Sequence, residues 1–133
     1  MSFNLSEFKR FEKQIILKKI GISGQKKIKK SKVLIIGMGG LGCPLLTYLA
    51  SAGIYNIGII DHDKVEISNL NRQILFNSAD LGKYKVIQAK SKINKIYRGI
   101  KIKTFNQKVS LTNIKNIFKD YDIICDGTDN FNT

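Results

Sequence analysis

A glycine-rich turn between an apolar segment and a helical segment is the feature that most constrains the fold. Residues 33–36 are four consecutive apolar residues, mostly β-branched, and they predict a buried strand. Residues 47–52 continue with a helical pattern. The glycines between them fit G-x-G-x-x-G with one extra glycine: Gly37, Gly39, Gly40 and Gly42. Because glycine has no Cβ, the turn lets backbone amides approach a phosphate, and we expect a phosphate-binding site here.

An acidic residue follows the next predicted strand. Residues 57–60 are apolar except for one glycine, and Asp61 comes directly after them. Asp61 lies about 20 residues beyond the glycine turn, where nucleotide-binding folds place an acid on a ribose hydroxyl. The sequence therefore predicts that Asp61 holds a ribose. A turn or a helix cap is the alternative role for this side chain.

The order of the remaining segments predicts one α/β domain. Helical spacing, apolar runs and alternation give a helix, then β-α-β, a loop, and α-β-α-β. This order is typical of a Rossmann-like, mostly parallel sheet wound with helices. We expect a single nucleotide-binding domain over 1–133, with 1–31 as an N-terminal helical extension. The predicted helices are 7–20, 40–52, 84–96 and 111–118. The predicted strands are 32–36, 57–60, 100–105 and 121–125.

Charge and composition restrict the kinds of ligand and the cellular location that we expect for this chain. The formal net charge of +13 favours polyanions, although lysine accounts for most of the basic residues. Residues 21–31 are rich in glycine and lysine and are expected to hold at most a short helix, and the lysine-rich run 26–32 is predicted to be a solvated turn. No apolar run approaches the ~20 residues needed to span a bilayer, and the first ten residues have no signal-peptide core. We therefore expect a cytoplasmic protein without membrane association. Cys43 and Cys125 have no metal-binding spacing and are predicted to be small buried residues.

Three charged residues are candidates for binding a ligand together with the glycine turn. Arg72 and Lys85 supply cations, and Asp129 follows a predicted strand as a candidate Mg²⁺ ligand. The sequence has no Ser-His-Asp, Cys-His or HExxH arrangement, and His62 is given no role. This set suits a reaction that needs positioning and charge neutralisation, such as adenylation of a carboxylate. With a pKa of ~3.5, a terminal carboxylate is ionised at neutral pH and needs no general base.

Four segments together resemble the N-terminal half of the ThiF/MoeB/HesA family, the prokaryotic relatives of ubiquitin-activating enzymes. Glycines alone are a weak signal, whereas the last two segments in this order and spacing are specific. The segments are RFEKQIIL at 10–17, VLIIGMGGLGCP at 33–44, SNLNRQILF at 68–76 and DGTDN at 126–130.

The resemblance implies an activity and roles for individual residues. It implies a homodimer that binds ATP and Mg²⁺ and adenylates the C-terminal glycine of a ubiquitin-like sulfur carrier ending in Gly-Gly. The implied pathway is that of thiamine or molybdopterin. The implied roles are phosphate contact for Gly40 and Lys85, ribose contact for Asp61, lining of the triphosphate pocket for Asn69, Arg72 and Gln73, and Mg²⁺ binding for Asp129. Asn69 and Gln73 have turn formation as an alternative, and Asp126 is expected to structure the strand end.

The sequence departs from the family pattern in two ways. Lys13 stands where members commonly have an arginine that reaches the ATP of a partner subunit, and lysine lacks the bidentate fork. The resemblance also covers only the N-terminal half, without the CxxC pair that often binds zinc in the family. We therefore expect that the chain is a fragment of the family's fold. Strands 32–36 and 121–125 would then lack part of the structure that packs against them, which would leave apolar surface exposed and make the chain poorly soluble.

Three other functions remain as alternatives. A tRNA-modifying dehydratase of the same superfamily would also activate a carboxylate with ATP and would use the basic surface. A Rossmann oxidoreductase would bind NAD or FAD, but it would give Arg72, Lys85 and Asp129 no joint task. A non-catalytic remnant would only pair with a partner.

Overall fold

The computed structural model describes residues 2–130 and 133, and its helices and strands alternate along most of the chain. Two short 3-10 turns, Ile67–Asn69 and Ser78–Asp80, lie in the long connection after the second strand. The elements are α1 (Leu5–Ile15), α2 (Gly21–Lys30), β1 (Lys32–Ile36), α3 (Gly42–Ala52), β2 (Asn56–Ile60), α4 (Lys85–Ile96), β3 (Lys101–Phe105), α5 (Leu111–Phe118) and β4 (Ile123–Asp126).

The strands form one parallel sheet in the order β3-β2-β1-β4. This confirms the predicted α/β, Rossmann-like architecture. The pairing aligns the last residues of all four strands, so that their carboxyl ends meet at one edge. Open parallel sheets bind ligands at that edge.

Both faces of the sheet are covered, by unequal apolar clusters. The larger cluster packs α3 and α4 on the face that carries Val33, Ile35, Ile57 and Ile59. The smaller cluster packs α5 on the opposite face through Ile117. The apolar residues of β1 are buried, so the expected lack of cover for strand 32–36 is wrong. For β4 the expectation holds in part, because Ile123 is 50% exposed.

The N-terminal region differs from the single helix predicted over 7–20. Asn4 caps α1 and forms a capping box with Glu7. Gly21 has a φ of +57° and begins α2. The lysine-rich segment is therefore helical and not a turn, although Lys26, Lys27 and Lys30 are exposed to solvent as expected. The short helix that was allowed for in this segment is a full helix of 10 residues.

Polar contacts hold α1 and α2 against the rest of the domain. The carboxylate of Glu7 accepts hydrogen bonds from Lys29 Nζ at 2.5 Å and from the Tyr55 hydroxyl at 2.8 Å. Gln25 Nε2 donates to the carbonyl of Ala52, at the end of α3, at 2.9 Å. The helical extension is therefore anchored by specific bonds as well as by apolar packing.

Two smaller predictions about burial have mixed outcomes. Cys43 is fully buried as expected, and burial raises the pKa of its thiol to about 11. Cys125 is partly buried. Ile96, the last residue of α4, is 59% exposed. Among the described residues, no helix has the length and apolar character needed to cross a bilayer.

Candidate functional site

A cavity of about 580 Å³ lies at the carboxyl edge of the sheet. The turn after β1, the residues after β2, the segment before α4 and the segment after β4 all contribute to its wall. It contains most of the predicted site residues: Gly37, Gly39, Gly40, Asp61, Asn69, Arg72, Gln73, Lys85 and Asp129.

The glycine turn presents unpaired backbone donors to this cavity. Gly37 has a φ of +89°, and a Cβ there would lie 3.2 Å from the carbonyl oxygen of Gly127. The amides of Gly39, Gly40 and Leu41 donate no backbone hydrogen bond within the described chain. They precede the first turn of α3, where free amides and the helix dipole favour an anion.

Gly42 has a different role from the one predicted. It does not belong to the cavity wall, and a Cβ on it would lie 1.8 Å from the carbonyl oxygen of Gly37. The third glycine of the motif therefore permits close packing of α3 on the turn, which is the usual reason for a glycine at that position.

Asp61 joins the glycine turn to the end of β2. One carboxylate oxygen accepts from the amide of Met38 at 2.7 Å, and the other accepts from the amide of Asp63 at 2.8 Å. The structure thus confirms the turn-forming role that was the alternative for this residue. Each oxygen retains further acceptor capacity, and the side chain still borders the cavity.

The segment between β2 and α4 brings one cation and two amides to the wall. Arg72 Nη1 donates to the carbonyl of Ser68 at 3.0 Å, and the aliphatic part of Arg72 lies over Gly40. Asn69 Oδ1 accepts from the amide of Glu66, which supports the turn-forming alternative for Asn69. Gln73 is 3% exposed, and its Oε1 is buried without a hydrogen-bond partner.

Lys85 is a buried cation at the first position of α4. Its residue is 5% exposed, and Nζ lies 3.6 Å from a carboxylate oxygen of Asp63. The amide of Lys85 also donates to the carbonyl of Asp63 at 3.0 Å, which fixes the two residues together. His62 Nε2 lies 3.3 Å from the other carboxylate oxygen of Asp63. The ligand atoms of Asp61, His62 and Asp63 fall within 4.8 Å of one another.

The two aspartates after β4 have distinct surroundings. Asp126 Oδ1 accepts from the amide of Thr128 at 2.9 Å and from its hydroxyl at 2.7 Å. This confirms that Asp126 structures the strand end. Asp129 is exposed and borders the cavity, with no hydrogen bond or salt bridge to another described side chain. Its carboxylate is accessible to a ligand in the cavity.

Sequence comparison identifies the family. The ThiF family model matches residues 11–133, nearly the whole chain. The chain belongs to the ThiF family. The match confirms the resemblance that was seen in the four sequence segments.

Curated relatives of this ThiF-family chain are named adenylyltransferases. It is 45% identical over 130 residues to a probable molybdopterin-synthase adenylyltransferase of Porphyra purpurea, covering 98% of this chain and 34% of the relative. It is 43% identical over 127 residues to a probable adenylyltransferase/sulfurtransferase MoeZ of Mycobacterium tuberculosis, covering 96% and 32%. The chain thus spans about a third of the length of these relatives.

Solved structures agree with the fold of the ThiF-family domain. PaaA matches with a TM-score of 0.85 at 33% identity, covering 93% of this chain and 41% of PaaA. E. coli MccB in a structure with ATP matches with a TM-score of 0.67 at 35% identity, covering 70% and 28%. TcdA matches with a TM-score of 0.89 at 24% identity, covering 98% and 51%, which supports the fold alone.

Several wall residues of this ThiF-family cavity were not predicted. Asp63 lies three residues after the end of β2, and Gln107, Lys108 and Val109 lie in the connection from β3 to α5. Their positions after parallel strands were the available signal, because all such connections open on the same edge. Lys13 is exposed on α1 and does not belong to the wall of its own chain's cavity.

The wall has the chemistry that ATP and Mg²⁺ require. Free amides in the turn, Arg72 and Lys85 suit a triphosphate, and Asp61 offers acceptors for ribose hydroxyls. The buried, unpartnered Oε1 of Gln73 can accept a hydrogen bond from a ligand. Asp129 supplies a hard oxygen ligand of the kind that Mg²⁺ prefers. The residues present therefore fit the nucleotide and the metal.

Proposed function

We propose that this chain is the nucleotide-binding part of an ATP-dependent adenylyltransferase. Its acceptor would be the C-terminal glycine carboxylate of a ubiquitin-like sulfur carrier. The single observation that carries the proposal is the convergence of Arg72, Lys85 and Asp129 on one cavity beside the glycine turn. The names of the curated relatives support the same activity.

The proposed reaction joins two anions, so its main demand is electrostatic. The carboxylate attacks the α-phosphorus of ATP, an acyl-adenylate forms, and pyrophosphate leaves with the electron pair of the broken P–O bond. The amides of Gly39 and Gly40, together with Arg72 and Lys85, would hold the phosphates and offset their charge. Asp129 would bind Mg²⁺, which when bound further screens the phosphate oxygens.

ATP–pyrophosphate exchange tests this proposal directly. The chain is incubated with Mg²⁺, ATP, labelled pyrophosphate and a carrier ending in Gly-Gly. Carrier-dependent exchange is expected, and Arg72→Ala and Asp129→Ala should each lower it by about a hundredfold or more, since each loses a charge-assisted contact. Lys95→Ala, on the exposed end of α4, is the matched control and should leave exchange unchanged.

Three results would count against the proposal. Exchange that survives in both Arg72→Ala and Asp129→Ala, with the fold intact by circular dichroism, removes the assigned roles. Tight binding of NADH without binding of ATP favours an oxidoreductase. Binding of neither nucleotide nor carrier favours the non-catalytic alternative.

We also propose that the enzyme works as a homodimer. Lys13 lies on the exposed side of α1, away from its own chain's cavity, so a role in catalysis requires a second copy. Lys13→Ala should lower exchange while ATP affinity of an isolated monomer stays the same. Light scattering that shows only monomers under conditions of full exchange would contradict this arrangement.

The acceptor can be distinguished from tRNA by the same assay. The likeness to TcdA, named a tRNA N6-threonylcarbamoyladenosine dehydratase, is one of fold and leaves a tRNA acceptor as the second candidate. The SNLNRQ segment favours the carrier enzymes, and the molybdopterin-type relatives favour that pathway over thiamine. Exchange that depends on tRNA and not on a Gly-Gly carrier would reverse this choice.

A further inference from the structure

The buried Lys85 ammonium has an acidic neighbour to which the proposed function gives no role. The Lys85 side chain is 7% exposed, that of Asp63 is 54% exposed, and their charged groups lie 3.6 Å apart. Both residues belong to the wall of the nucleotide cavity. A carboxylate in this wall repels the phosphates of ATP, which makes it unfavourable there unless it acts on the cation beside it.

Backbone pairing fixes the two residues relative to each other. Segments 63–65 and 82–85 run antiparallel and are joined by three hydrogen bonds, at 2.8, 2.9 and 3.0 Å. The longest of these runs from the amide of Lys85 to the carbonyl of Asp63. Because the main chain is held at both residues, the fold itself brings their side chains together, and the pair is not a chance encounter of two long surface side chains.

Lys85 also lies close to the glycine turn. Burial raises the pKa of the Cys43 thiol to about 11, and the Lys85 ammonium acts on it in the opposite direction. Cys43 is the second residue of α3, so the ammonium lies near the amides that precede this helix. A buried ammonium needs a partner, and within the described chain Asp63 supplies the carboxylate that pairs with it.

We propose that Asp63 is a positioning residue that holds the Lys85 ammonium where it acts on the phosphates of ATP during adenylation. This inference rests on the proposed function. At 3.6 Å the pair is longer than a hydrogen bond, so Asp63 restricts the position of Nζ and leaves its protons available to a ligand. A cation that is fixed before the reaction stabilises the charge that develops in the transition state without having to reorganise.

The substitution Asp63→Asn separates positioning from simple charge. The side chain keeps its size and the backbone bond to Lys85 remains, but the ammonium loses its partner. The exchange rate at saturating ATP, kcat, should fall about tenfold, because a cation that moves freely is often misplaced in the transition state. ATP should bind at least as tightly as to the unchanged protein, because a negative charge has left the wall. Damage to the wall would instead weaken both.

Two further variants control this comparison. Asp120→Asn removes the same charge from an exposed position outside the cavity and should change neither kcat nor ATP affinity. A double-mutant cycle with Lys85→Met identifies the residue through which Asp63 acts. In the Lys85→Met background, Asp63→Asn should leave kcat unchanged within about twofold, because the cation that it would position is already absent.

The motion of the Lys85 side chain can be measured without nucleotide or reaction. In protein with isotopically labelled lysine, the NMR signal of the Lys85 ε-methylene group is identified by its loss in Lys85→Met. Its order parameter should fall in Asp63→Asn and stay the same in Asp120→Asn. This readout reports on the contact itself and does not depend on the chain being an active enzyme.

Several results would overturn the assignment. Unchanged motion of Lys85 in Asp63→Asn would show that Asp63 does not hold the ammonium. An equal loss of kcat with and without Lys85 would show that Asp63 acts by another route, and a raised Mg²⁺ requirement in Asp63→Asn would make it a metal ligand instead. Absence of exchange in the unchanged protein, with the motion of Lys85 as expected, would overturn the proposed function and confine Asp63 to holding the lysine.

Discussion

The space for a side chain at Gly42 is already occupied by the carbonyl oxygen of Gly37. Alanine there forces α3 away from the turn after β1. We expect Gly42→Ala to lower the free energy of unfolding by about 3 kcal/mol, at the upper end of overpacking effects. Urea denaturation followed by circular dichroism measures this change.

The neighbouring Gly40 provides the matched comparison. A Cβ there would lie 3.4 Å from the Arg72 side chain, close to ordinary contact, so Gly40→Ala should fold with a loss of less than about 1 kcal/mol. Its methyl group would nevertheless stand where a phosphate is expected to approach. Equal destabilisation by both substitutions would mean that the two glycines do not have the separate roles assigned here.

Two phenylalanines on α1 test how the first helix is attached. Phe11 is 1% exposed and Phe8 is 41% exposed, although the two residues are three positions apart on the same helix. Phe11→Ala should cost about 3 kcal/mol, since it leaves a cavity beneath Gly53, whereas Phe8→Ala should cost less than about 1 kcal/mol. Thermal unfolding of both variants gives the comparison, and similar losses would place α1 differently from the structure.

Helices and strands could be predicted where the spacing of apolar residues was clear and the ends of the element were marked in the sequence. The strand at 32–36 and the helix at 111–118 match their predicted bounds, because apolar runs and caps mark their ends. The segment 21–30 was not predicted as a full helix, since its two glycines and its run of lysines are more typical of a solvated turn. Burial of Lys29 was also missed, because its partners Glu7 and Tyr55 lie on other elements.

Acid stability is a property of the whole molecule to which two anchored carboxylates contribute. For Glu7, burial raises the pKa but bonds from Lys29, Tyr55 and Asn4 outweigh it, leaving the pKa below 4.5. For Asp80, burial is likewise outweighed by bonds from Lys92 and the amide of Asn77, leaving the pKa below 3.8. Their stabilisation is present above these ordinary values and is lost as pH falls through the lower, folded-state pKa values.

We therefore expect the free energy of unfolding to fall with pH below about 4.5. Glu7→Gln and Asp80→Asn should each be less stable than the unchanged protein at pH 7, and each should lose less stability on acidification. Urea denaturation between pH 7 and pH 3 tests both statements. An unchanged acid dependence in both variants would show that other carboxylates control it.

The nucleotide site and the lateral pairing of the strands differed in how far sequence alone could predict them. The Gly37 turn, Asp61 and Lys85 lie near fixed points of a strand–turn–helix pattern, so their convergence followed once the strands were parallel. The lateral register aligns Lys32 with Asn56 and Lys101. No local sequence pattern fixes that alignment, and it was therefore not predicted.

A ligand that binds in the cavity of the folded protein stabilises the whole fold against unfolding. If the cavity binds ATP, saturation at 100 times the dissociation constant adds ~2.7 kcal/mol and raises the melting temperature by about 10 °C. Lys85→Met keeps the buried aliphatic volume but removes the ammonium group, so ATP should bind about 10 to 100 times more weakly and the shift should shrink accordingly. Lys95→Met, on the exposed end of the same helix, should keep the full shift. A shift produced by NADH and not by ATP, or an undiminished ATP shift in Lys85→Met, would show that the cavity does not hold the triphosphate through this buried lysine.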